Sequence, residues 1–390
     1  MKFSISVSDF QYAMRLVRDV VPNSGPTSET TGILISAQEG KAIFSASNPE
    51  VSAEATVKVS LERGGEVVVD AAALYGAISH FQPINDKGVG TSDILVSSSP
   101  KAKKLTISAS THYPSGNETT HRRVLSLKNQ EFFPSIPSPF SLGGRASDSC
   151  TLELPASILM DAIDGVVHAI SSDKNQFVFT GTLLRLQENE LVLFATNGKT
   201  LAEYRAPVPY TGQPVSVVLP GALASKISKS FFDNDTLLVT ITNSMMFIRT
   251  PNLVLGGALI REEYPDYTAF IPKAGVSAVV NKYIFLDNLA SLSYEASSFE
   301  DNRVTMRFSN GGAFLICGDS ENGGIPATAG EDFEFSCDLK LLAAATRNIV
   351  GDELVIGYVG AERPLLFSSE ARSPSGSKLI SVVAPLASPR

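Results

Sequence analysis

The chain has 390 residues, 43% of them hydrophobic, with 40 acidic against 32 basic side chains and a formal net charge of −8. Such a length exceeds one ordinary core and suits two or three domains. The acidic balance argues against a protein that coats nucleic acid with its whole surface, but leaves room for a local basic face. No apolar run approaches membrane-spanning length, and the opening MKFSISVSDF lacks the apolar centre of a signal peptide. A soluble cytoplasmic protein with no membrane partner is therefore expected. Cys150, Cys317 and Cys337 lie far apart without a Cys-x-x-Cys pair and read as reduced thiols. The four scattered histidines form no ligand set, and neither a metal nor another cofactor is expected.

The same order of elements runs three times along the chain. Each copy opens with a strand and an amphipathic helix: FSISVSDFQYAMRLVRDVVP, then CTLELPASILMDAIDGVVHAIS, then AVVNKYIFLDNLASLSYEAS. Strands come next, and then a strand that runs into a second helix, in GEVVVDAAALYGAISHF, QPVSVVLPGALASKISKSF and DFEFSCDLKLLAAATRNI. The closing strand pairs are clearest in DILVSSSP with KKLTISAS, in TLLVTITNSMMFIRTP, and in ELVIGYVG with PLLFSS. The second helices begin near Asp70, Pro220 and Asp338, and the longer first interval is assigned to a polar insertion over residues 85–129. The expected fold class is α+β, in three tandem domains over 1–140, 141–272 and 273–390.

Helical periodicity sets the faces. Over residues 8–21, Phe10, Ala13, Met14, Val17 and Val21 share one side, with Gln11, Arg15 and Arg18 well away from it. Over 221–232, Leu223, Ile227 and Phe231 form the buried stripe, and Lys226 and Lys229 are expected to point outward. Over 338–349, Leu339, Leu342, Ala343 and Thr346 are inward, with Lys340 and Arg347 outside. Three helices thus carry a basic stripe on an acidic protein. The first helix of the second copy instead shows Asp161, Asp164 and His168 on its polar side, and that of the third shows Asp287 and Glu295.

Residues 193–209, LFATNGKTLAEYRAPVP, hold a Gly-Lys-Thr triplet like the tail of a phosphate loop. Such a loop needs a glycine five positions earlier and a helix afterwards. Leu193 stands at that position, and Leu201 to Arg205 alternate apolar and polar residues as a strand does. Asn197-Gly198 is a tight-turn dipeptide, so the segment reads as strand, turn and strand.

The tandem order, from MKFSISV to SVVAPL, resembles the bacterial-type DNA polymerase III beta subunit family, the beta sliding clamps. FVFTGTLLRLQENELVLFATNGKTLAEYRAP is similar to the central hairpins of that family's second domain, where a Thr-Asp-Gly-His-Arg-Leu run usually stands in place of Thr196 to Leu201. REEYPDYTAFIP is similar to the segment leaving that domain, and SVVAPL to the C-terminal strand. The resemblance implies a non-catalytic processivity factor for DNA replication. It would be a head-to-tail homodimer whose six domains form a ring, with helices inside and antiparallel sheets outside. The ring would thread double-stranded DNA without reading sequence, and its other partners would be the replicative DNA polymerase and a clamp loader. Domain size is compatible with this. A radius of gyration of roughly 14 Å gives spheres roughly 36 Å across, and six in a ring leave a hole of that width. A duplex on the order of 20 Å wide fits it.

Carried over position by position, the resemblance puts Arg15, Arg18, Lys226, Lys229, Lys340 and Arg347 toward the DNA. It lines a partner-peptide groove with Phe179, Thr196, Gly198, Lys199, Thr200, Leu201, Pro265, Ala269, Phe270, Val382, Ala384, Pro385 and Leu386. The chain departs from the pattern with Lys199-Thr200 in place of His-Arg, Ala384 in place of methionine, and NSGPTSE where an arginine near position 25 is common. The tail Ala387-Ser388-Pro389-Arg390 is placed to cover part of the groove. Two other readings stay open. A clamp-like decoy would bind replisome peptides without encircling DNA, which the patchy basic lining allows. An enzyme is the weaker alternative, since the acid pairs Asp161 with Asp164 and Glu262 with Glu263 have no histidine, nucleophile elbow or metal-spaced partner.

Overall fold

The computed structural model describes residues 1–22, 28–99, 101–137, 150–273, 275–309, 311–371, 373 and 375–386. The 140/141 boundary, the NSGPTSE loop and the tail 387–390 lie wholly or partly outside these. The chain forms two compact units, one of Met1–Glu153 with Thr236–Ala258, the other of Leu154–Asp235 with Leu259–Arg390.

The first unit is built on a long antiparallel sheet. Two of its helices, α1 (Val7–Arg18) and α2 (Ala71–Ile78), pack against each other. Ser6 caps α1 by accepting the Asp9 N–H, and Asp70 caps α2 by accepting the Ala73 N–H, each satisfying an amide the helix leaves free. Phe10, Ala13, Met14 and Val17 are fully buried, as the periodicity predicts, and Arg15 and Arg18 are exposed. Within 85–129, the strand pair read from DILVSSSP and KKLTISAS is present as Ile94–Ser99 and Lys104–His112. The polar stretch after it is a further strand rather than an insertion, Glu118–Lys128, which forms a long hairpin with Lys104–His112. The polar composition fits the strand's surroundings, because no residue of Glu118–Lys128 is buried and both of its faces meet solvent.

The second unit holds a nine-stranded and a four-stranded antiparallel sheet. Its helices are α3 (Ala156–Val166), α4 (Gly221–Ser230), α5 (Lys282–Ser291), α6 (Ser293–Ser297) and α7 (Leu339–Arg347). Helices α3 and α4 come directly after Pro155 and Pro220, whereas α5 and α7 are capped by the Asn281 and Asp338 side-chain oxygens. The second helices of the three repeats therefore start at the residues the sequence marks, Asp70, Pro220 and Asp338.

Three helical faces differ from expectation. Lys226 is buried at 8% exposure while Lys229 is exposed. The cause is angular: at 100° per residue Lys226 lies only about 60° from Leu223, on the edge of the buried stripe, while Lys229 lies about 120° away. Ala345 is buried on α7 where Ala343 was expected to be, and Ala343 is half-buried. His168 does not sit on the polar side of α3. The chain turns into a short 3-10 segment, Val167–Ala169, and burial pushes the imidazole pKa down to about 4, against a weaker opposing contact with Gly165. Asp161 and Asp164 are exposed on α3. The Asp161 carboxyl is raised by partial burial and by the nearby Asp233 and Asp164.

Candidate functional site

Strand Glu190–Thr196 returns as Thr200–Pro207 through a turn at Asn197-Gly198-Lys199. Gly198 has φ +81°, a left-handed value that suits glycine. The Asn197 Oδ1 accepts the Lys199 and Thr200 N–H groups at 3.0 and 2.8 Å, and the Thr196 hydroxyl donates to the Thr200 carbonyl at 2.7 Å. The turn is thus fixed by its own side chains. The chain continues from it as a strand, not a helix, which removes the phosphate-loop reading of Gly-Lys-Thr.

The other edge of Thr200–Pro207 pairs with the C-terminal strand Lys378–Val383, so that Leu201 faces Val382 in register. The Ala384 N–H then donates to the Lys199 carbonyl at 2.8 Å, fastening the chain end to the turn. Beside this junction lies a concavity of about 250 Å³. Its wall includes Phe179, Thr196, Gly198, Lys199, Thr200, Leu201, Pro265, Phe270, Val382 and Ala384 from the sequence-derived set. Ala269, Pro385 and Leu386 fall outside it. For Leu386 a reason is visible, since its N–H donates to the Ser336 carbonyl at 2.8 Å and draws the chain away.

Tyr264, Asp266, Tyr267 and Pro364 also line the cavity, and sequence reasoning missed them. Three of these lie in REEYPDYTAFIP, where two tyrosines spaced by three among polar residues were an available signal. Pro364 gave none, because it arrives from a distant connection. The floor is an aromatic cluster. Phe194 and Tyr267 stack with ring centroids 3.5 Å apart at 11°, while Tyr264 meets both Phe179 and Phe194 edge to face at 5.5 Å. Leu183, Leu201, Val218, Ile260 and Val382 complete the buried cluster. Phe270 stands at the mouth, 69% exposed. Lys199 is an exposed rim cation. Asp266 is an exposed rim anion whose pKa is lowered by the Thr268 N–H and hydroxyl.

The candidate DNA-facing residues sit on helices in separate places. In the first unit, a cleft of about 360 Å³ between α1 and α2 is lined by Gln11, Arg15, Arg18, Asp19, Tyr75 and Gln82 among others, with the Arg18 guanidinium 3.8 Å above the Tyr75 ring. In the second unit, Lys229, Lys340 and Arg347 are exposed and Lys226 is not. There the Asn348 Nδ2 and Ser228 Oγ donate to the Asp164 carbonyl and carboxylate at 2.6 and 2.7 Å, joining α3, α4 and the end of α7.

A repeated α+β scaffold with an aromatic-floored concavity and isolated cationic helix faces defines a class of protein that binds by shape and charge. Two family models match the chain: "DNA polymerase III beta subunit, N-terminal domain" over residues 1–92, and "DNA polymerase III beta subunit, central domain" over 153–266. Together they span slightly more than half of its length. The beta sliding clamp of Bacillus subtilis (strain 168) is 23% identical over 404 aligned positions covering 99% of each chain. That of Chlamydia pneumoniae is 22% identical over 70% of this chain and 68% of its own. Among solved structures, the DNA polymerase sliding clamp from Bacillus subtilis superposes with a TM-score of 0.82 at 20% identity, over 100% of this chain and 99% of that one. The DnaN sliding clamp from Bartonella birtlesii bound to griselimycin gives 0.83 at 20% identity, over 99% of both. The chain belongs to the DNA polymerase III beta subunit family. It is a DNA sliding clamp, a non-catalytic processivity factor that works with DNA and a polymerase.

Proposed function

We propose that two chains close head to tail into a ring around duplex DNA, each contributing three domains over 1–140, 141–272 and 273–390. The concavity beside the Asn197-Gly198 turn then receives a linear peptide from the replicative polymerase, and in turn one from the clamp loader. The observation that carries the docking role is the aromatic and aliphatic lining, Phe179, Leu201, Tyr264, Tyr267 and Val382, backed by the buried Phe194 and open at a mouth where Phe270 is exposed. Exposed apolar concavities rimmed by polar groups are where peptide anchors dock.

Closure of the ring is supported by two sheet edges. Strand Glu118–Lys128 pairs along one side with Lys104–His112, and on its other side pairs with Gly65–Asp70 only at Leu127 and Lys128. The remaining edge carries exposed Arg122 and Arg123 with Val124. Strand Ser320–Ile325 ends the four-stranded sheet and carries exposed Glu321 near exposed Asp319. A basic edge on one chain meeting an acidic edge on the other completes both ladders and removes two strands open to aggregation. The cationic helices then face the hole, where phosphates are attracted without base contacts. Mass measurement in solution tests the ring: a dimer of about 83 kDa, twice the 41.5 kDa of one chain, is expected at micromolar concentration. Monomer alone would end this reading. Loading on nicked circular against linear DNA separates a clamp, which leaves only free ends, from a decoy that binds peptides without encircling DNA.

A further inference from the structure

On strand Thr200–Pro207 side chains alternate between faces, so Leu201, Glu203 and Arg205 share the side turned to the groove. Leu201 forms its floor, and an apolar residue two positions on would continue that floor. Glu203 stands there instead, 4% exposed. A buried carboxylate is costly unless both oxygens are paired. Here they are. The Arg205 Nε donates to Oε1 at 2.7 Å and its Nη2 to Oε2 at 2.9 Å, and the Tyr267 hydroxyl donates to Oε2 at 2.8 Å. Arg205 is itself held by Glu190 at 2.8 Å, and its pKa is raised by the hydrogen bond to Glu203.

The phenol at the end of this chain is part of the groove wall. Tyr267 stacks flat on Phe194, which lies opposite Glu203 in the ladder, and its oxygen also accepts from the Arg185 Nη2 at 3.3 Å. Three residues earlier, the Tyr264 hydroxyl accepts the Thr196 N–H at 3.2 Å. The segment 264–270 carries little regular structure beyond one short 3-10 turn, Thr268–Phe270. Its placement against the sheet therefore depends on these two phenols and their stacking.

We propose that Glu203 is a positioning residue for the peptide groove: through Tyr267 it holds the wall 264–270 in its open, receptive form before a peptide arrives. The inference rests on the docking role proposed above and adds what tunes it. A preformed wall spares the peptide the entropy of ordering it, so loss of the latch shortens the lifetime of the complex more than it slows association.

The test uses the full-length chain with Glu203→Gln, Tyr267→Phe and the double variant, all near-isosteric. The probe is a fluorescein-labelled octapeptide selected from a random library for binding wild type and for losing it with Leu201→Ala. Each single variant is expected to bind about tenfold more weakly through faster dissociation, as for loss of a hydrogen bond to a charged group. The double variant should be no weaker than either single, because both break the same latch. In the peptide-free protein, the Thr268 and Phe270 amides should exchange faster in Glu203→Gln, with the Glu190–Thr196 amides unchanged. Wild-type affinity in both singles, or losses that multiply in the double, overturns the inference while leaving the groove intact. A library that yields no Leu201-dependent peptide overturns the docking reading and this inference together.

Discussion

The groove beside the Asn197-Gly198 turn and the cleft between α1 and α2 are both concave, at about 250 Å³ and about 360 Å³, and the larger is the less apolar. The groove is floored by stacked aromatics and aliphatic side chains that a strand ladder holds in place. The cleft is lined by Arg15, Arg18, Gln11, Gln82 and Asp19, with Tyr75 covered by the Arg18 guanidinium. Volume therefore does not separate the two surfaces; lining chemistry does. An apolar floor gains free energy by excluding water from a matching side chain, which requires close fit. Cationic side chains on solvated helix faces act on phosphates through a longer-ranged and salt-screened field, which requires no fit. A protein that must slide along one partner and grip another needs both kinds of surface.

Salt should separate the two surfaces. Reversing charge together at Arg15, Arg18, Lys229, Lys340 and Arg347 should weaken binding to a short duplex by about a hundredfold or more at low salt. The loss should shrink as salt rises, and peptide binding should stay unchanged. Fluorescence anisotropy across a salt series measures it, and an unaltered salt slope would mean these helices do not face DNA. Lys226→Glu belongs outside that set. At 8% exposure it should lower the melting temperature, whereas Lys229→Glu should leave stability within about 0.5 kcal/mol.

The helix side has a second, pH-dependent signature. The His168 pKa is about 4 in the fold against 6.5 for the free side chain, so the unfolded chain binds the extra proton between those values. Stability from the neutral imidazole is fully present above pH 6.5 and is lost as pH falls toward 4, by up to about 3 kcal/mol. Urea midpoints at about pH 7.5 and about pH 4.5 should therefore differ less in His168→Gln than in wild type. Equal pH dependence in both would show that His168 is solvated.

Within the groove, Phe270→Ala should weaken peptide binding about thirtyfold with little change in melting temperature, because the ring is exposed at the mouth of the proposed docking groove. Leu201→Ala should cost at least as much in affinity and also lower stability, since Leu201 is a core residue. Binding equal to wild type in both would leave the hairpin as only a turn. The smallest effect is expected from Lys199→Ala: a change within about threefold that disappears at high salt, because an exposed rim charge acts mainly on association.

The range of the forces involved decides how much of this was legible in the sequence. The three repeats, the caps at Asp70 and Asp338, the Pro220 start of α4 and the Asn197-Gly198 turn are local matters of periodicity, capping and backbone freedom, and neighbours a few positions away decide them. Most of the groove wall was placed by likeness to a family, because no local pattern says that Leu201 will face Val382. The strand pairing that joins them, the arrival of Pro364, and the stacking of Tyr267 on Phe194 are long-range choices. So is the burial of Lys226, whose position at the margin of a helical stripe leaves its exposure to whatever packs alongside. Glu203 illustrates the division most clearly. Its alternation with Leu201 puts it on the groove side of the strand, and only the folded chain supplies the Arg205 and Tyr267 partners that let a carboxylate remain there.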